Sequence, residues 1–323
     1  MRARATLTPT PLPTTTLGVD GPEVTRMGLG LAALGRPAYI NIGHGDDLAA
    51  LPPERPPAVM EAHCHAVLDA AWDCGIRLFD AARGYGAAEA FLASWLRTRD
   101  RAPGSVAVTT KWGYEYTAGW RIDAEEHERK SHTAAMFRSQ WARTRELLGP
   151  WLVCEQVHSV TPDSTFFDDP ALLDALGAVA AGGTLIGVST SGPQQAAAVE
   201  RAVAVRTFDD RPLVRAVQAT WNLLEPSVGD ALHAAHEAGV GVIVKEALAN
   251  GRLAGRDPSV PADGASALAA ALAHPWADVV LSGAATVDQV VSNVRAFSVT
   301  PATDVAVEPP EEYWATRSQL AWN

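Results

Sequence analysis

The chain has 323 residues, 47% of them apolar and 20% charged, enough for a sizeable core and ordinary for a globular protein. Its formal net charge of −11 argues against nucleic acid or an anionic membrane surface as a partner. Three cysteines (Cys64, Cys74, Cys154) lie in apolar patterns without framework spacing, which reads as reduced, mostly buried thiols of a cytoplasmic protein.

Residues 1–18 are rich in Thr, Pro, Arg and Ala and read as a flexible N-terminal tail, with no signal-peptide core. From about residue 26, short apolar runs alternate with longer amphipathic, Ala-rich stretches, the pattern of βα units and a parallel sheet. Strands are expected at 27–34, 76–82, 106–111, 153–159, 185–191, 216–222, 241–246 and 278–284. Helices are expected at 58–74, 87–98, 133–148, 170–181, 193–204, 229–238, 263–273 and 287–296, with a short extra helix after Glu308. Gly75, Gly182-Gly183 and Gly239 each fall just past a helix and before a strand, where a left-handed residue ends the helix. Eight such units over residues 19–323 predict a single-domain (β/α)8 TIM barrel. An open doubly wound sheet is the alternative, but Gly28-Leu29-Gly30 is too short for its dinucleotide turn.

Asp80, Lys111 and His158 stand at the C-terminal ends of three apolar runs within the predicted strands, and Tyr85 follows the first of them. The C-terminal strand ends of a parallel barrel meet at one mouth, where barrel enzymes keep their chemistry. A phenol, an ammonium, an imidazole and a carboxylate gathered there make a proton-donating centre for a carbonyl. An ammonium beside the phenol is expected to lower its pKa, and Asp80 to hold Lys111 in place. Two long loops, 35–57 and 112–132, are expected to wall the substrate with Trp112 first, then Tyr39 and Trp120, with Asn41, His44 and His132 as weaker candidates. His63 and His65 stand two apart on a predicted helix and face different sides, so no metal site is expected.

Phe79-Asp80-Ala81-Ala82-Arg83-Gly84-Tyr85-Gly86 resembles the aldo-keto reductase signature, which usually has Thr where this chain has Ala81. Thr110-Lys111-Trp112-Gly113 and Gln156-Val157-His158 resemble that family's lysine and histidine motifs, in the family's order, and the resemblance spans roughly residues 24–297. It implies hydride transfer between a nicotinamide dinucleotide and a carbonyl or alcohol, with Tyr85 as the acid or base. NADP is the implied cofactor, with NAD as the alternative. The resemblance also implies cofactor contacts. Ser189, Thr190 (where the family has Asn) and Gln218 would meet the carboxamide, and Trp221 would stack on the ring. Lys245, Ala247, Leu248, Gly251 and Leu253 would form the pyrophosphate loop, and Gly283, Gln289 and Asn293 the adenosine end. Gly283 and Gln289 stand where other branches carry a Lys and an Arg for the 2′-phosphate, so Arg252, Arg256 or Arg295 would have to compensate. A small-molecule substrate and a monomer are expected. Two further readings stay open: a catalytically silent cofactor-binding subunit, and a Schiff-base lyase or aldolase using Lys245 or Lys111.

Overall fold

A computed structural model describes residues 11–260 and 263–323. In chain order the strands are β1 Thr14–Thr16, β2 Glu23–Thr25, β3 Met27–Gly30, β4 Leu78–Asp80, β5 Ala107–Trp112, β6 Tyr114–Tyr116, β7 Glu128–Lys130, β8 Leu152–Val160, β9 Leu185–Thr190, β10 Val214–Thr220, β11 Gly241–Lys245 and β12 Val279–Ser282. The helices are α1 His44–Asp47, α2 Pro57–Asp73, α3 Ala88–Thr98, α4 Ala134–Leu148, α5 Pro170–Ala181, α6 Gln195–Val203, α7 Gly229–Glu237, α8 Gly264–Leu272, α9 Val287–Asn293 and α10 Pro310–Ser318.

Each expected strand forms one stave of a closed barrel in the order β3-β4-β5-β8-β9-β10-β11-β12. All eight pairings are parallel, and Val280 opposite Met27 and Ser282 opposite Leu29 close the ring. Every strand therefore points its C-terminal end at the same mouth. Strand alternation sorts the side chains. On β4, Leu78 and Asp80 face the interior, while Phe79 faces outward against Trp95 with ring centroids 5.2 Å apart. A small apolar plug of Leu17, Leu78, Ile243, Val279 and Leu281 fills the lower barrel, and the large core lies between barrel and helices. At the bottom, Gly75, Gly183 and Gly239 take φ of 92°, 92° and 81°, conformations that a Cβ disfavours.

The expected tail needs a correction. Its first ten residues lie outside the described residues, but Thr14–Thr16 pairs antiparallel with Glu23–Thr25 as a hairpin under the barrel. β-branched Thr suits a strand. Leu17 anchors the hairpin, only 1% exposed within the lower plug. The long third loop carries the β6–β7 hairpin, and the extra C-terminal helix forms as α10.

If Leu17 closes the barrel floor, Leu17→Ala should cost about 2–5 kcal/mol, the usual range for truncating a buried Leu. Urea denaturation of the two proteins measures it, and a loss within about 0.5 kcal/mol of zero would return residues 14–18 to the tail.

Candidate active site

Asp80 sits at the tip of β4 with its carboxylate turned into the barrel. Lys111, from the neighbouring strand β5, forms a buried ion pair with Asp80 Oδ2 and also donates to the carbonyl of Ala81 at 3.1 Å. Asp80 Oδ1 accepts from the Thr109 hydroxyl at 2.6 Å, from Gln218 Nε2 at 3.1 Å and from Gln156 Nε2 at 3.3 Å. Both carboxylate oxygens are thus occupied by strand residues. The turn after Asp80 is held by Ala81 N–H to Thr109 O at 2.9 Å and Arg83 N–H to Lys111 O at 2.8 Å. Those bonds carry Tyr85 back over the barrel, where its hydroxyl lies 3.4 Å from His158 Nε2 and Lys111 Nζ lies 5.1 Å from its ring centroid. The four expected residues converge.

They open into a cleft of about 470 Å³ that runs from Tyr85 and His158 across the mouth to Gln289 and Asn293 of α9. Of the expected binding residues, Tyr39, Gln218, Lys245, Ala247, Leu248, Gly251, Gly283, Gln289 and Asn293 line it. Gln218 Oε1 meets no donor among the described residues, leaving an open acceptor on the cleft wall. Gly30, Gly251 and Gly283 form part of the far floor, and a Cβ on Gly283 would stand in open space inside it.

Other expectations fail on side-chain direction. Trp221 does not face the cleft. It lies 5% exposed on the helix side of β10, edge-on to His274 at 4.5 Å and Trp276 at 5.9 Å, so it cannot stack on a ring at the mouth. Thr190 also points outward, donating to Gln195 Oε1 at 3.4 Å. Ser189 is sealed inside, its Oγ accepting Ser159 N–H at 2.9 Å. Leu253 packs in the cluster of Tyr313 and Trp314. Trp112 is fully buried against Phe137 and His132. Trp120 donates to Arg55 O at 2.8 Å and leans on Phe91. His132 supports the site indirectly, bonding His158 O at 2.7 Å, and His44 is fully buried outside the cleft. Arg252 is tied to Glu308 and Asp257 away from the cleft, whereas Arg256 lines it, bonded to Ile42 O at 2.5 Å and paired with Asp47.

The family model described as the Aldo/keto reductase family matches residues 52–266. The chain belongs to this family. Similar solved structures include an aldo-keto reductase from Bacillus halodurans in its holo form, at 20% identity over 96% of each chain with a TM-score of 0.66. A Pseudomonas aeruginosa protein assigned to the aldo-keto reductases has 21% identity over 88% of this chain and 95% of its own, with a TM-score of 0.62. At that identity both support the barrel fold. No curated protein matches the chain.

In this aldo/keto reductase, several residues of the site carry no local sequence signal. Arg36 donates to Glu128 at 2.7 Å and stacks its guanidinium over Tyr85, Tyr39 and Trp322, at 5.2, 5.1 and 4.6 Å from the ring centroids. Trp322 in turn lies flat on His127 at 4.1 Å. Glu246 of the β11 loop forms a two-pronged pair with Arg317 of α10, at 2.8 and 2.5 Å.

Charges and burial set the protonation states. Burial first, then the Asp80 charge, hold the Tyr85 hydroxyl well above its ordinary value. The expected lowering by Lys111 is not found, because that ammonium is matched by Asp80. Burial first, then Lys111, Lys245 and Arg36, keep His158 far below the imidazole range and therefore neutral. Burial raises Glu246, but Arg317 and Lys245 outweigh it and bring the carboxyl down to about 2.

A carboxyl lowered on folding adds stability that is complete above its unfolded value and is lost as pH falls through its folded value. For Glu246 that window runs from about 4.5 down to about 2. Replacing Arg317 by Met strands Glu246 beside Lys245 alone, so about 3–5 kcal/mol should be lost near neutral pH. Urea midpoints at near-neutral pH and at pH about 3 should show the gap between wild type and Arg317→Met narrowing in acid. A gap that is constant or widens there would remove the pair from the account.

Proposed function

We propose that this protein transfers a hydride between a nicotinamide dinucleotide and the carbonyl or alcohol carbon of a small aldehyde, ketone or sugar, with Tyr85 as general acid and base. The observation that carries this reading is the pairing of a buried, protonated phenol with a neutral imidazole at one end of a long cleft. The other end has glycine floors and the side-chain amides of Gln289 and Asn293, which suit a dinucleotide. Gln218 Oε1 offers an acceptor to the carboxamide. Gly251 and Gly283 let backbone approach the phosphates, with Gln289 in the first turn of α9 and Asn293 at its last residue beside them. When bound, the dinucleotide supplies or accepts the hydride.

The protein's own part is proton and charge management. Tyr85 holds its proton at the cleft surface and releases it to the carbonyl oxygen as negative charge develops there. His158, neutral, can donate from Nε2 to the same oxygen. Lys111 does not touch the substrate. Its charge balances Asp80, the carboxylate that opposes a phenolate at Tyr85. In alcohol oxidation the same groups run in reverse.

NADP is the proposed form on the habit of the family, with NAD as the alternative. Gly283 and Gln289 offer no cation to a 2′-phosphate, so Arg256 is the cleft-lining side chain that would meet it. No helix among the described residues is long and apolar enough to cross a membrane. We take the protein to act in the cytoplasm as a monomer on a small molecule.

Replacing Tyr85 by Phe removes the acid without changing the ring. Turnover on a panel of aldehydes should fall by about 10²–10⁴, while quenching of protein fluorescence by NADPH and NADH keeps its wild-type midpoint. Full activity in Tyr85→Phe would displace the phenol from its role. Absence of any dinucleotide binding by the wild type would overturn the reading altogether.

A further inference from the structure

The 26 basic residues of this chain include only three lysines, Lys111, Lys130 and Lys245, and all three stand at the barrel mouth. Their situations differ. Lys111 is fully buried and locked by Asp80 and the Ala81 carbonyl, with no route to a ligand. Lys130 is exposed at the rim, donating to Ser159 O at 2.6 Å. Lys245 ends β11 and lines the same cleft as Tyr85 and His158.

Lys245 has an unusual set of partners. Its ammonium donates to the Thr220 hydroxyl at 2.6 Å, and that hydroxyl in turn donates to Glu246 Oε2 at 3.4 Å. The nearest carboxylate oxygen, on Glu246, is 3.8 Å away and already engaged by Arg317. The aromatic face of Trp314 lies on another side, 5.7 Å to the ring centroid. The side chain is 15% exposed, and that exposure opens on the cleft. The amine is therefore oriented, poorly hydrated and without a counter-ion of its own.

We propose that Lys245 is a nucleophilic amine that captures aldehydes in this cleft as a reversible imine, a covalent activity beyond hydride transfer. The proposal shares with the reductase reading only a carbonyl-binding cleft. The nitrogen lone pair adds to the carbonyl carbon while the C=O π pair passes to oxygen. The oxygen takes up the two protons that nitrogen releases and leaves as water as the C=N bond forms, so nothing is oxidised or reduced. Arginine cannot do this, since it neither loses its proton nor offers a free pair.

The charges around Lys245 agree with the geometry. Burial lowers its ammonium, Glu246 raises it, Arg317 and Lys111 lower it again and Glu225 raises it, leaving it at about 8. Near neutral pH an appreciable fraction is then free amine.

The test is reductive trapping of the full chain with benzaldehyde and sodium cyanoborohydride, without dinucleotide, followed by peptide mass mapping. Cyanoborohydride delivers hydride to the imine carbon and fixes a benzyl group on the reacting nitrogen. The expected result is benzylation of Lys245 at least about tenfold faster than of exposed Lys130, a preference lost when the protein is first unfolded in urea. Lys245→Arg keeps the cation and should lose the fast site, and Lys245→Met serves if the arginine variant does not fold. Labelling of Lys245 no faster than Lys130, or equal before and after unfolding, overturns the proposal. Dinucleotide titration reads the reductase function separately, so either result can fail while the other stands.

Discussion

One carboxylate holds this mouth together. Asp80 is 2% exposed and accepts from four side chains on three other strands, Thr109 and Lys111 on β5, Gln156 on β8 and Gln218 on β10. Burying a charge is costly unless it is paired and hydrogen-bonded, and here nearly every acceptor site of the carboxylate is used. Such a hub adds little net stability over an apolar core of the same shape. It instead fixes position. Through Lys111 it sets the charge beneath Tyr85, and through Gln218 it leaves one amide oxygen facing the cleft. Around it, Arg83 pairs with Glu89 at 2.8 Å, and Glu89 accepts from Thr110 and Thr144, so the tyrosine turn, β5 and α4 share a second anchor behind the wall.

The barrel was legible in the sequence because its signals are local. Short apolar runs, helical amphipathicity and helix-ending glycines each act within a few residues, and each of the eight expected staves formed. The four residues that converge at the mouth were legible because three of them lie at the ends of those runs. Side-chain direction beyond a strand tip was harder. Trp221 lies three residues past Gln218 and Thr190 one past Ser189, and an odd number of steps turns a side chain from interior to helix layer. Their alternation partners Gln218 and Ser189 point inward, yet only Gln218 reaches the cleft. The rest of the site is assembled by contacts that no local pattern encodes. Arg317 meets Glu246 across 71 residues, Arg36 meets Glu128 across 92, and Trp322 reaches back to His127. The strand at Thr14–Thr16 was missed for a similar reason, since Thr and Pro composition reads as a tail until Leu17 finds the barrel floor.

The cleft gathers positive side chains in a protein that is acidic overall. With a net charge of −11, the surface as a whole repels anions. Arg36, Lys245, Arg256 and Arg317 line the cleft, facing Asp47, Asp80, Glu128 and Glu246. Arg36, Arg256 and Arg317 are each matched to a carboxylate at hydrogen-bonding distance, while Lys245 is not. The unmatched positive character is thus concentrated beside His158, where its effect on the imidazole is already visible.

The β11 loop joins these features. Glu246, Ala249 and Asn250 all take positive φ, at 52°, 46° and 54°, a conformation costing a non-glycine residue about 1–3 kcal/mol. Such a loop persists only where its surroundings hold it. Arg317 grips the Glu246 side chain, Asn222 donates to the Glu246 carbonyl at 3.0 Å, and Ile42 N–H bonds to the Asn250 carbonyl at 2.9 Å. Asn222 is itself held by the Tyr313 hydroxyl at 3.0 Å. The shape of the cleft wall is therefore written partly in α10 and partly in the first long loop, far from β11 in sequence. The last turn of the chain pins that loop as well, since Asn323 and Tyr39 exchange backbone hydrogen bonds at 3.1 and 3.2 Å. The strained loop that follows Lys245 is thus held in place by the C-terminal helix and the first long loop together.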